Sequence, residues 1–296
     1  MTRLIIRSSI AASCLLGATL ISNAASAQTA SFTASYSGGN GSSSSCSSTY
    51  SISGKEPTTG RHPVFIWTVG TGESYTDPLS TTLITQMANR GFVTASVQYN
   101  SGSFGNSSTL TNRARCIYNG ASSTSALYKL CARATADCAK GVVVAGLSQG
   151  SIMADLARNF DTRVQAAWGM GNGVKYSIYD LTSAVANGGS RVLSNTRLRV
   201  INGIKDTFVS GSDGTRGQNK KLTGFDCGST ATSCLQANGS GWYIVGNAQV
   251  QDGEADHCYM TNGGCSASAL DSNWLNGTDP WTMNANLNWL QTFTTP

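Results

Sequence analysis

Residues 141–160 restrict the fold of this chain more than any other segment. Gly141 to Ala145 (GVVVA) is an unbroken apolar run, the composition of a strand buried on both faces. It leads directly into Gly146-Leu147-Ser148-Gln149-Gly150. Ser151 to Phe160 (SIMADLARNF) then has helical spacing, with Ile152, Leu156 and Ala157 on one side. A buried strand, a tight glycine-flanked turn and a helix in immediate succession are the repeating unit of a parallel sheet covered by helices.

The same alternation runs along the chain. Pro63 to Val69, Gly91 to Tyr99, Val164 to Trp168, Leu198 to Asn202 and Trp242 to Val245 read as further strands. Leu79 to Arg90 reads as a helix, with Asp77 as N-cap and Pro78 at the first helical position. Leu110 to Ala132 contains helical stretches, and Leu287 to Phe293 belongs to a closing amphipathic helix. Ser31 to Tyr36 and Tyr50 to Ser53 suit an antiparallel edge. The expected class is α/β: a mostly parallel sheet with helices on both faces. Gly171 to Arg197 has room for a helix and a loop, so no large cap domain is expected. No internal repeat or dividing linker interrupts residues 28–296, which read as one domain.

The first 27 residues read as a secretory leader. Arg3 and Arg7 form a basic start, Ser8 to Ser22 is uncharged and mostly apolar, and Ala25-Ser26-Ala27 is a small-x-small cleavage site. The apolar run falls short of the roughly 20 residues a membrane span needs, and no later segment supplies one. Eight of the nine cysteines lie beyond the leader, an even number that suits disulfides in an exported protein. Cys131/Cys138, Cys227/Cys234 and Cys258/Cys265 share one spacing and enclose small polar residues, so each is expected to pair locally. Cys46 and Cys116 then form the long bridge, which restricts the unfolded chain by roughly 4 kcal/mol in the entropy account. Cys46 sits in a low-complexity stretch, Ser37 to Ser48, read as a pinned surface loop. The thiolate-metal alternative lacks any C-x-x-C, and two histidines cannot make a three-His zinc site.

Charge excludes another class. Only 12% of residues are charged, and losing Arg3 and Arg7 with the leader takes the net charge from +5 to +3. No basic cluster exceeds Lys220-Lys221, so nucleic acid is not an expected partner. Neither P-loop nor dinucleotide fingerprint is present, and no cofactor or metal is implied.

Ser148 is the candidate nucleophile. A turn of the form G-x-S-x-G strains the serine backbone, projects the hydroxyl above the sheet and sets it at a helix N-terminus. A serine hydroxyl needs a base, and the base needs an orienting group. His257 follows the late strand and is the expected base; His62 precedes the strand Pro63 to Val69, at the end away from the turn. Asp206 leaves the carboxyl end of the strand Leu198 to Asn202, the functional edge of a parallel sheet. It is the expected orienting acid, with Asp180 as fallback; Asp256 is too near His257 in sequence to face the ring. Oxyanion donors are expected from the Gln149 N–H and from the loop Val69-Gly70-Thr71-Gly72, with Thr71 favoured. Trp168, Met170 and Tyr75, placed just after strands, are candidates for an acyl pocket.

From Arg61 to Pro296 the chain resembles the α/β-hydrolase superfamily in the order Ser, Asp, His. Pro63 to Gly72 is similar to the family's strand and oxyanion loop, with Val69 where the family carries histidine. Gly203 to Asp206 is similar to its G-x-x-D acid turn. The G-x-S-Q-G form, with Cys138 shortly before the strand, resembles cutinases, whose acid lies close to a half-cystine; nothing of that kind surrounds Asp206. The resemblance implies a secreted serine esterase of the cutinase or polyester-depolymerase kind. It would be a disulfide-stapled monomer with an uncovered cleft, acting on small or polymeric esters through an acyl-serine. A serine peptidase of the same fold and a non-catalytic binding module remain alternatives.

Overall fold

The computed structural model describes residues 28–37, 48–209 and 214–295. The leader and Cys46 lie outside the described residues, and so does the proposed pairing of Cys46 with Cys116. In chain order the strands are β1 (Thr29–Tyr36), β2 (Tyr50–Pro57), β3 (Val64–Thr68), β4 (Val93–Val97), β5 (Val142–Leu147), β6 (Val164–Met170), β7 (Lys175–Tyr176), β8 (Tyr179–Asp180), β9 (Leu198–Gly203), β10 (Ser233–Leu235) and β11 (Gly241–Val245). The helices are α1 (Pro78–Asn89), α2 (Ser107–Tyr118), α3 (Ala126–Cys131), α4 (Gln149–Leu156), α5 (Thr182–Val185), α6 (Gly214–Thr223), α7 (Ser272–Asn276) and α8 (Met283–Gln291).

Nine of these strands form one sheet in the order β1-β2-β4-β3-β5-β6-β9-β11-β10. The six from β4 to β11 run parallel to one another. β1 and β2 form the expected antiparallel edge, and β10 closes the other side antiparallel to β11. Every residue of β3, β4 and β5 is buried, which their unbroken apolar and small-residue runs require. α1 and α8 cover one face; α2, α3, α4, α5 and α6 cover the other.

α1 begins as its sequence demands. The Asp77 carboxylate accepts the Ser80 N–H at 2.6 Å, and Pro78 occupies the first turn, where no intrahelical N–H is needed. Between β6 and β9 stand the β7–β8 hairpin, short α5 and one 3-10 turn (Asn195–Arg197), with no cap domain among the described residues. Disulfides join Cys131–Cys138, Cys227–Cys234 and Cys258–Cys265, with Cα separations of 5.6, 5.6 and 4.9 Å.

Candidate active site

Steric contact explains the two glycines of the Gly146–Gly150 turn. A Cβ on Gly146 would lie 2.3 Å from the Gly150 carbonyl carbon, and one on Gly150 would lie 2.2 Å from the Thr68 carbonyl oxygen. The turn therefore closes directly against the end of β3. Ser148 between them has φ 55° and ψ −124°, a sparsely populated conformation that costs about 1–3 kcal/mol. Its N–H donates to the Met170 carbonyl at 2.9 Å, and its carbonyl accepts from both the N–H and the hydroxyl of Ser151. These bonds hold the strained residue at the N-terminus of α4, where the helix dipole favours negative charge.

Asp206 leaves the carboxyl end of β9 and is 1% exposed. One carboxylate oxygen accepts the N–H groups of Phe208 (3.0 Å) and Val209 (3.2 Å). The other accepts from His257 Nδ1 at 2.8 Å. The Lys205 N–H donates to the Ala255 carbonyl at 2.8 Å and ties the acid turn to the histidine loop. With Nδ1 donating to Asp206, Nε2 is the ring nitrogen left to accept a proton. The ring packs on Phe208, with centroids 4.9 Å apart. Asp256 instead accepts its own loop's Cys258 N–H, and Asp180 is exposed beside Lys175. His62 bonds to the Thr59 carbonyl and bridges to Ala136, away from this edge.

Ser148 (8% exposed) and His257 (7% exposed) both open onto one cleft of about 780 Å³, a volume in the range of small-molecule sites. Leu79, Phe104, Leu147, Phe208, Met260 and Leu270 give it apolar walls. The segment closed by Cys258–Cys265 lines another side. Glu73 and Asp77 bring carboxyl groups to the lining, and among the described lining residues there is no Lys or Arg. The Glu73 carboxyl is pushed up to about 7, chiefly by burial; the Gly70 N–H opposes the shift, nearby Asp77 adds to it, and His257 opposes it.

Gln149 is the first residue of α4, so its N–H has no acceptor within the helix. Its side chain is fixed by Arg113 (2.6 Å) and by the Ser101 carbonyl (2.9 Å). Thr71 lies on the cleft wall after β3. The three acyl-pocket candidates are not on the cleft wall. β6 runs two residues further than its apolar pattern suggests, so Trp168 and Met170 lie inside the sheet, fully buried and off the cleft wall. Tyr75 is half-buried against the core and is also absent from that wall. Sequence reasoning missed Glu73, Phe208 and the 265–270 wall. Only the position of Phe208 two residues after Asp206 offered a signal.

No protein-family model matches the chain, and no curated protein does. Among solved structures, it is similar to a cold-adapted esterase from an Arctic intertidal metagenomic library, solved as a PEG-bound complex. The two share 13% identity over 91% of this chain and 95% of that one, with a TM-score of 0.50. The chain has the α/β-hydrolase fold. The mostly parallel sheet with helices on both faces is that architecture.

Proposed function

We propose that this protein is a carboxylic ester hydrolase acting through Ser148, His257 and Asp206. One observation carries the reading: the 2.8 Å His257–Asp206 bond belongs to a ring on the same cleft wall as the strained serine. In the proposed reaction the Ser148 oxygen attacks the ester carbonyl carbon, and its proton passes to His257 Nε2. The carbonyl oxygen becomes an oxyanion between the N–H groups of Gln149 and Thr71. As the C–O bond to the alcohol breaks, His257 returns the proton to the leaving oxygen. Water then repeats the sequence on the acyl-serine and releases the acid.

The esterase with the same fold supports this chemistry over others, and the apolar walls suit an acyl group. The disulfides support a site of action outside the cytosol. A fluorophosphonate probe is expected to label Ser148 stoichiometrically. Ser148→Ala is expected to lose p-nitrophenyl ester hydrolysis by about 10⁴-fold or more. Intact hydrolysis in folded Ser148→Ala overturns the reading. Faster turnover of peptide amides than of matched esters favours a peptidase instead.

A further inference from the structure

The loop after β3 is held from several sides. The Tyr99 hydroxyl donates to the Val69 carbonyl at 2.6 Å. The Gly72 N–H donates to the Ser101 carbonyl at 2.9 Å. The Gly70 N–H donates to the Glu73 carboxyl at 2.6 Å, and that carboxyl lies flat against Gly70: a Cβ there would be 2.9 Å from Glu73 Oε2. The amides on both sides of Thr71 are thus committed, while the Thr71 N–H has no acceptor among the described residues. Thr71 and Glu73 both line the cleft that holds Ser148.

We propose that Glu73 is a positioning residue for the reaction: by binding the Gly70 N–H it fixes the loop so that the Thr71 N–H stays free to receive the oxyanion. This rests on the esterase reading above. Glu73 touches no reacting atom; it acts through the loop backbone. A carboxyl placed in a cleft and half removed from water is costly unless it is bonded, and its bond here runs to the loop that supplies the donor. The bond requires an acceptor at position 73 and does not require a charge.

The experiment measures kcat and KM on p-nitrophenyl butyrate for three variants, with circular dichroism confirming the fold. Glu73→Ala is expected to lose kcat by on the order of 10- to 100-fold with KM within about twofold, less than the 10²- to 10³-fold typical of deleting an oxyanion donor. Glu73→Gln keeps an acceptor and is expected to stay within about threefold of wild type. Gly70→Ala places a methyl where the carboxyl lies and moves that flexible group aside, so it is expected to lose kcat like Glu73→Ala. The double variant is expected to lose little more. Wild-type kcat in Glu73→Ala overturns the proposal, as does a Gln variant as slow as the Ala variant. If Glu73→Ala does not fold, Gly70→Ala decides by the same criterion. Fluorophosphonate labelling of Ser148 in the wild type separates the two failures: without labelling the esterase reading falls, whereas labelling with an unchanged Glu73→Ala removes only the role of Glu73.

Discussion

A methyl group at Gly171 would sit 2.5 Å from Cε1 of His257 and 3.1 Å from Nε2. The residue has φ +55°, and its carbonyl is fixed by the Tyr176 hydroxyl at 2.7 Å. The backbone therefore cannot retreat easily, and the imidazole must move if a side chain is added. Gly171→Ala is expected to slow ester hydrolysis at least about tenfold, with roughly 1–2 kcal/mol of stability lost to the left-handed backbone. Steady-state kinetics and urea unfolding measure the two effects separately. A full rate in a destabilised variant would show that the ring is held by Asp206 alone. Gly146 was legible because its Cβ would meet Gly150 in the same turn, and Gly150 because it completes the G-x-S-x-G pattern, although the group it must clear, the Thr68 carbonyl, belongs to β3. Gly171 was not, because the group that forbids a side chain arrives from a different loop.

The segment that carries His257 contains no helix or strand between Gln249 and α7. It is held by Cys258–Cys265, by the Thr261 hydroxyl bonded to the Cys258 and Gly264 carbonyls, and by Asp252, which accepts the Gly263 N–H. Replacing both cysteines with serine is expected to lower activity several-fold and to speed amide exchange across residues 258–270. Exchange in β5 and β6 is expected to stay unchanged, since both are buried strands at the centre of the sheet. Hydrogen exchange by mass spectrometry reads both regions, and equal acceleration in the sheet contradicts a local role. Strand β5 was readable from its apolar run, and α1 from Asp77 and Pro78. α6 was invisible to periodicity because its buried face is largely polar: Thr215, Gln218, Asn219, Leu222 and Thr223. Gln218 accepts the Val174 and Lys175 N–H groups and Asn219 accepts from Asn202, so that face is held by hydrogen bonds rather than by apolar area. That His257 and Asp206 would meet was legible from their positions after strands. The cleft walls were not, since they come from segments far apart in sequence.

Across the molecule, two buried or partly buried carboxyls push stability in opposite directions with pH. Asp155 on α4 is fully buried and accepts from Asn172 at 2.9 Å; burial pushes it up to about 7, against Arg191 and Asn172. The folded protein thus keeps this proton to higher pH than the unfolded chain does. Its contribution is full below about 4, falls as pH rises from about 4 to 7, and is flat beyond. Glu56 is held below the usual carboxylate range by hydrogen bonds from Arg133, with Thr135 adding to the effect against partial desolvation, and its contribution is lost as pH falls through the acid range. Urea midpoints at pH 5 and pH 8 are expected to show lower stability at pH 8, and Asp155→Asn is expected to shrink that difference. An unchanged difference in Asp155→Asn assigns it to another group. The three described disulfides join each cysteine to the very next one in the chain. In a chain oxidised from its amino end, none of these six cysteines has to pass over a nearer one of the set to reach its partner, so closeness along the chain by itself favours the three links.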